Sequence, residues 1–548
     1  MPSRKSVERL ESLSLVKLET IVRAVSLRCV EYFSQSSMLQ EVRVSQVTSS
    51  LLDREILNLQ ELLFNLTPHY FHPQIVVLVV RTLSSLQREE SLSDWSCSQE
   101  SHHQRRRRLV RKQVLAQFSR LLCHQAVTEL SLDSSLELGL VKNICQLLPD
   151  LDHLVSLDLG PWPCEKQGLL SGCQGSSLMF LPRLTSLSLS DIDTEIIKNI
   201  SVFSPHLTTL RVRSSQLSDE AAYFLSKLRK LQKLHFSQVT NVSSHGYATL
   251  LRNLHRLTDL SGCDCFPAAL SCLETGKRRN TPHLRLERLE TDSPLTETEL
   301  QLVVSQCPAL TTLKLVYRPA ELEPSPDPLT PHLARLALLT DLTTINIVSA
   351  DFYNHSVFRL VQTSPARVTR LELTDCDEMN LHSVEMIGQL CPSLLSLGLS
   401  SCHFTLDPEQ RQTIAETVSL QTPAPAQRPF ARLREGRFRL TSPTHLVLLK
   451  YILHFSDRLR SFSLEVLTQS VEDRLVVSLV SWGRWSQLQS FQLTNSSRLS
   501  LMAANTIIQS CPQVKHIGSV KTWGQVSRED LSSFQREIAS RNLQLQIS

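Results

Sequence analysis

The amino-acid sequence predicts an α/β fold of stacked strand–helix units, a solenoid preceded by a small helical module. A six-residue frame, L-x-x-L-x-L, recurs along much of the chain, and amphipathic helical segments follow many of its copies. Composition points the same way. Leu makes up about 18% of the 548 residues and aromatic residues only 5%, so the core must consist of many similar aliphatic layers.

The frame is repeated from about Leu154 to Ile517. Its apolar positions 1, 4 and 6 alternate near the end as in a short strand, so the intervening positions should face solvent. Eight steps from Leu184 to Leu394 give a mean period of about 26 residues, which is typical of a repeat architecture. Copies begin at Leu154, Leu184, Leu207, Leu231, Leu257, Leu310, Leu342, Val368, Leu394, Leu459, Leu488 and Val514, with weaker ones at Val127, around Leu286 and at 432–440.

Helices are predicted between the frames. Residues 218–228, 296–306, 381–390 and 501–510 carry apolar side chains at three-to-four spacing and begin near Ser, Thr, Asp or Asn, which suit helix N-caps. A short strand followed by such a helix cannot bury its apolar edge alone, so the units must stack.

Cysteines recur at equivalent positions in several repeats. The segments SQCPALTTLKL, QLCPSLLSLGLSSC and QSCPQVKHIG place Cys307, Cys391 and Cys511 at helix ends, and further cysteines follow the frame at Cys376 and Cys402, with another at position 265. This pattern resembles the cysteine-containing leucine-rich repeat of F-box and other ubiquitin-ligase substrate adapters, over roughly residues 125–520. The resemblance implies a horseshoe with parallel concave strands and outer helices, and a binding role without catalysis.

The chain divides into four predicted regions. Residues 1–87 form a helical N-terminal module, residues 88–112 a polar and basic linker, residues 113–524 the solenoid and residues 525–548 a C-terminal helical cap. Irregular, Pro-rich or Gly-rich insertions are expected near 160–177, 318–332 and 421–430.

Composition and motifs argue against several functions. A net charge of +4 is too small for a general nucleic-acid binder, and no phosphate-binding Gly-rich motif occurs. The sequence predicts no catalytic residues, no metal site and no cofactor. No apolar run is long enough to span a membrane, and we expect an intracellular protein. The basic run Arg105, Arg106, Arg107 and Arg108 could direct it from the cytoplasm to the nucleus, contact phosphate, or be a solvated linker.

The solvent-facing strand positions are the predicted partner site, because such a ladder on the concave face is where this architecture binds a protein substrate. The positions chosen are Arg211, Arg213, Lys233, His235, Lys314, Arg370, Glu372, Arg460, Glu465 and Gln492. They mix hydroxyl-rich surroundings with both charges, which favours a protein partner over nucleic acid.

The N-terminal module has three open interpretations. An F-box usually has a Leu-Pro start and a late Trp, which residues 10–45 lack; an elongin-binding box has a Cys where Glu19 stands. A helical cap on the first repeat is the third. Leu15, Leu18 and Ile21 share one helical face and could anchor a ligase core subunit. The sequence therefore predicts a non-enzymatic substrate adapter of a cullin-type ubiquitin ligase, or else a repeat scaffold or regulatory binder unconnected to ubiquitin.

Overall fold

The computed structural model describes most of the repeat region and three N-terminal helices. The described residues are 17–29, 44–65, 72–93, 117–132, 144, 146–159, 181–190, 192–214, 216–262, 265–274, 283–316, 333–353, 357–363, 367–419, 428–442, 445–467, 471–482, 485–494, 498–540 and 545–547. They fall into two compact units, an N-terminal unit, Met1–Gly262, and a C-terminal unit, Cys263–Ser548.

Among the described residues of the N-terminal unit, six parallel strands form a sheet, each paired with the next along the chain. They are β1 (Glu129–Ser131), β2 (Ser156–Asp158), β3 (Ser186–Ser190), β4 (Thr209–Arg213), β5 (Lys233–Ser237) and β6 (Asp259–Ser261). Frame residues such as Leu187, Leu210 and Leu234 are at most 1% exposed and stack in register as one aliphatic layer.

The helices of this unit fall into two groups. The N-terminal module contains α1 (17–29), α2 (Val44–Gln60, continued by a π turn) and α3 (His72–Ser93), and the repeats contain α4 (Thr194–Phe203), α5 (Asp219–Leu225) and α6 (Ser244–Asn253). Side chains of Asp193 and Ser243 cap α4 and α6 by accepting backbone N–H groups of the first turn.

The module packs on the start of the repeats. Gln60 Nε2 donates to the carbonyl oxygen of Arg120 at 2.9 Å, and Arg120 forms an ion pair with Asp53 of α2. The Phe64 ring stacks on the His124 imidazole with centroids 4.9 Å apart. Helix α3 contacts β1. Helices α2 and α3 therefore cover the first strand–helix unit.

Ten strands are described in the C-terminal unit, again parallel and paired in chain order. They are β7 (Arg288–Pro294), β8 (Thr312–Val316), β9 (Thr344–Val348), β10 (Arg370–Thr374), β11 (Ser396–Ser400), β12 (Glu435–Leu440), β13 (Ser461–Val466), β14 (Ser490–Thr494), β15 (His516–Gly518) and β16 (Gln546–Ile547). Strand β12 lies in the weak copy of the frame predicted at 432–440.

Nine described helices alternate with these strands: α7 (Phe266–Glu274), α8 (Glu297–Gln306), α9 (Val357–Thr363), α10 (Leu381–Leu390), α11 (Pro408–Ser419), α12 (Leu446–Phe455), α13 (Asp473–Trp482), α14 (Leu501–Ser510) and α15 (Arg528–Ser540). Thr296 and Asn380 begin α8 and α10 with reciprocal capping boxes, and Ser500 caps α14. The alternation of parallel strands and helices is the α/β leucine-rich-repeat fold, so the predicted fold class is confirmed.

Cysteines close several helices, as the repeat pattern predicted. Cys307, Cys391 and Cys511 follow α8, α10 and α14 directly, and all three thiols are buried. Burial raises the pKa of each to about 12, so they remain neutral packing groups. Cys376 and Cys402 are also buried, whereas Cys265 is only half-buried.

The residue after a strand often adopts a left-handed backbone. Positive φ angles occur at Gln238, Gly262, Ser349, Asp375, Ser401 and Ser519, each directly following its strand. At Gly262 the constraint is strongest, because an added Cβ would lie 1.8 Å from the carbonyl oxygen of Phe236. Only glycine fits that approach between neighbouring repeats.

Several predictions concern residues outside the described part of the chain. These are Leu15, the basic run Arg105–Arg108, the insertions near 160–177 and 318–332, and most of the third insertion, of which 428–430 are described. The four region boundaries stay predictions; helix α3 continues to Ser93, six residues beyond the expected end of the module. Among the described helices, none combines the length and apolarity needed to cross a membrane.

Candidate partner-binding surface

The solvent-facing side chains of β4 and β5 form a basic group on the N-terminal unit, here called the basic strand face: Arg211, Arg213 and Lys233. Arg211 and Lys233 are exposed and Arg213 is half-buried. Arg213 Nε donates to the amide oxygen of Gln238 at 3.0 Å. Within the described residues, no carboxylate lies within ion-pair distance of any of these three cations. Their charge is therefore available to a partner.

Strand register sets the spacing of the basic strand face. Arg211 pairs with His235 across β4 and β5, and Thr209 pairs with Lys233. Alternate residues on one strand are separated by about 6.7 Å and neighbouring strands by about 4.8 Å. Arg211 and Lys233 are thus about 8 Å apart at their Cα atoms.

His235 is held by two groups on β6. Its Nδ1 lies 2.7 Å from Ser261 Oγ, and its Nε2 lies 3.8 Å from Asp259 Oδ2. Ser261 is 9% exposed and the carboxylate is beyond hydrogen-bond distance of the imidazole. This geometry orients the histidine on the strand face and offers little access to the serine oxygen. The sequence did not predict this cluster of His235, Asp259 and Ser261, because its members come from different repeats.

Charged residues on the C-terminal unit's strand face are paired instead. Lys314 Nζ lies 2.7 Å from Asp292 Oδ1. Glu465 Oε2 lies 3.0 Å from Arg439 Nε on the neighbouring strand. Gln492 is exposed on β14. Lys314 and Glu465 are thus present on the surface, but each already has a partner.

Two further ion pairs reach across β11. Arg370 Nη2 on β10 lies 3.1 Å from Glu435 Oε2 on β12, and Glu372 Oε1 lies 4.0 Å from Arg437 Nη1 between the same strands. These strands are separated by about 9.6 Å, twice the usual spacing. Strand β11 allows the contact because its outward residues are Ser or Gly; a Cβ at Gly398 would approach Glu372 Cγ to 3.1 Å.

Arg460 lies one residue before β13 rather than within the strand. Its N–H donates to the Arg434 carbonyl oxygen at 2.7 Å, and its side chain is exposed at the N-terminal edge of the sheet. In several other repeats this position holds threonine, whose hydroxyl donates to the preceding repeat, as in Thr208 to Thr185 O and Thr311 to Glu287 O, both at 3.0 Å. This threonine ladder was not predicted from the sequence.

The proposed ligase anchor lies on α1. Ile21 is 38% exposed, and Leu18 is half-buried. The buried residues of α1 are Val22, Ser26 and Cys29, and Leu18 lies on the same side of the helix as Val22, one turn away. Burial, and then the nearby Glu55 carboxylate, raises the pKa of the Cys29 thiol.

No protein-family model matches this chain, and no curated protein matches it. Among solved structures, an internalin from Listeria monocytogenes is 14% identical, covering 68% of this chain and 82% of its own, with a TM-score of 0.27. TLR13 in complex with ssRNA13 is 14% identical over 77% and 65%, with a TM-score of 0.28. Rad7 in the yeast complex with Elc1 is 15% identical over 77% and 94%, with a TM-score of 0.35. These are leucine-rich-repeat proteins, and the RNA and Elc1 are partners of those proteins.

Proposed function

We propose that this protein is a binding adapter that holds a protein partner on its strand faces and performs no chemistry of its own. The observation that carries the proposal is the basic strand face, where Arg211 and Lys233 are exposed and lack an ion-pair partner among the described residues. Unpaired exposed charge contributes little to folding but can steer and orient a partner. Such an adapter acts by raising the local concentration of its partner.

We further propose that the adapter serves a cullin-type ubiquitin ligase and that α1 contacts the ligase core. Ile21 supports this, since an exposed isoleucine on a short helix is the kind of apolar anchor that a groove can bury. Helices α2 and α3 are engaged with the first repeat, which leaves α1 as the candidate contact. The substrate would then lie on the strand faces.

Co-purification from cells tests the ligase proposal. The tagged full chain should recover cullin together with elongin or another core adapter subunit, detected by immunoblot. Ile21→Asp should abolish that recovery while leaving the melting temperature within about 2 °C. Thr20→Asp, which adds the same charge on the neighbouring exposed position, should retain it.

The alternative is a leucine-rich-repeat scaffold with no link to ubiquitin. The packing of Phe64 on His124 and of Gln60 on Arg120 favours it, because these contacts give the N-terminal helices a capping role. If the unmodified chain recovers no cullin and Ile21→Asp lowers the melting temperature, the ligase proposal is wrong and the scaffold remains.

A further inference from the structure

The basic strand face differs in how its cations are neutralised from the arginines that lie within strands β10 and β12 of the C-terminal unit. On the C-terminal unit, Arg370, Arg437 and Arg439 each lie within 4.0 Å of a carboxylate. Arg211 and Lys233 have no such neighbour among the described residues. Like charges held together without counter-charge contribute little to the stability of a folded protein. This arrangement is therefore expected where a bound anion supplies the counter-charge.

Strand β3 provides room beside these cations. Its outward residues are Ser186, Ser188 and Ser190, which lie in register with Thr209, Arg211 and Arg213 on β4. Serine side chains are short, so the half-buried Ser186 and Ser188 leave a shallow strip along β4 that the arginine side chains border, whereas Ser190 is buried. Hydroxyl groups also donate hydrogen bonds to carboxylate or phosphate oxygens.

The acidic neighbours limit the size of the ligand. Asp158 on β2 is in register with Ser188, and Asp259 on β6 is in register with Lys233. The basic strand face and the adjacent serines of β3 are therefore bounded by carboxylates and together span β3 to β5, a width of about 10 Å. A nucleic acid that relies on six to ten phosphate contacts would extend over these carboxylates. A short anionic segment would not.

Spacing along β4 matches an extended peptide. Arg211 and Arg213 are alternate residues of one strand, so they are separated by about 6.7 Å, the same distance that separates alternate side chains of an extended chain lying alongside. Two acidic residues at positions i and i+2 of such a segment would meet the two arginines. Lys233, on the adjacent strand, would meet a third.

We infer that the basic strand face binds an extended segment of a partner protein that carries anionic side chains at alternate positions. This inference rests on the proposed adapter function and specifies the chemistry of its partner. Arginine can bind either carboxylate or phosphate with two parallel hydrogen bonds, so aspartate, glutamate and phosphoserine share the required chemistry.

Fluorescence anisotropy with the full chain tests the inference. The probe is a labelled 12-residue peptide with Asp at alternate positions separated by Ser; a second has the same composition with the Asp residues contiguous, a third has phosphoserine for Asp, and a fourth has Asn for Asp. The alternating acidic peptide should bind at least fivefold more tightly than the contiguous one. Binding should weaken when NaCl rises from 50 to 300 mM.

Charge reversal locates the binding surface. Arg211→Glu/Arg213→Glu should weaken binding of the alternating peptide at least tenfold, and Lys233→Glu should do so independently. Arg229→Glu/Arg256→Glu, a matched control that changes two exposed arginines outside the strands of the same unit, should alter it less than twofold. Thermal melts of all variants verify folding.

The outcomes are distinct. Tighter binding of the phosphoserine peptide supports a phosphorylated partner, and equal binding supports an acidic one. Equal loss in the control variant, equal binding of the Asn peptide, or tighter binding of a 12-nucleotide single-stranded DNA would overturn the inference. Failure of cullin recovery bears on α1 alone, whereas failure of peptide binding bears on the strand face alone, so the two proposals fail separately.

Discussion

Removing one frame leucine should show how much each repeat contributes to stability. Leu313 on β8 is fully buried between Leu289 and Ile345 of the neighbouring strands, which are equally inaccessible. Leu313→Ala deletes three carbon atoms, and at about 0.8 kcal/mol per buried methylene the lost transfer free energy is about 2.4 kcal/mol. The remaining cavity brings the expected loss to about 3–4 kcal/mol.

Leu313→Asp should cost more, since the aspartate would be buried without a cation to pair with. Thr312→Ala is the matched control. Thr312 precedes Leu313 on the same strand and points to the half-exposed side, so its truncation should cost less than about 0.5 kcal/mol.

Urea unfolding followed by circular dichroism measures these differences. Because a repeat array can unfold in parts, amide hydrogen exchange in β7 to β9 should accompany it and should show faster exchange in those three strands first. A loss below about 1 kcal/mol for Leu313→Ala, or an equal loss for Thr312→Ala, would refute the assignment of this frame to a buried layer.

Two other changes test local features. Gly262→Ala should lower the free energy of unfolding by at least about 2 kcal/mol, because its Cβ would collide with the Phe236 carbonyl oxygen, whereas Ser401→Ala, also at positive φ, should have little effect in the same urea assay. Burial, and then the nearby His72, lowers the pKa of His124. The stability that neutral His124 contributes is therefore fully present above pH 6.5 and is lost as pH falls below 6.5 and through the lowered folded-state pKa. His124→Phe, which keeps the stacking on Phe64, should therefore reduce the fall in melting temperature between pH 7.5 and 5.5; an unchanged pH profile would contradict this.

Much of the fold could be predicted because it depends on local patterns. Apolar spacing and a capping Asn predicted a helix at 381–390, and the structure has α10 at Leu381–Leu390. The frame VTRLEL similarly contains β10, Arg370–Thr374. Both elements depend on contacts within one repeat or between equivalent positions of successive repeats. Those positions recur at a fixed spacing in the sequence, so they can be recognised there.

The ion pairs and hydrogen bonds of the candidate site residues could not be predicted in the same way. The Arg370–Glu435 ion pair joins residues 65 positions apart, and an irregular segment between them obscures the period. This ion pair also requires small outward side chains on the intervening strand β11. Their position between Arg370 and Glu435 depends on the pairing register of the strands. Likewise, the contact of His235 with Ser261 follows from pairing of β5 with β6 rather than from any motif.

The different pairing on the two units has consequences for recognition. An anionic partner that approached Arg370 would compete with Glu435, which lies 3.1 Å away, and would leave that carboxylate near its own negative charge. Binding at Arg370 would therefore yield little net free energy, because the ion pair lost with Glu435 offsets the ion pair gained with the partner. At Arg211 no such exchange is needed among the described residues. The basic strand face, with two arginines, should therefore bind the same anionic segment more tightly than the strand face of the C-terminal unit, where three arginines are paired. The salt dependence of binding should follow the N-terminal unit alone.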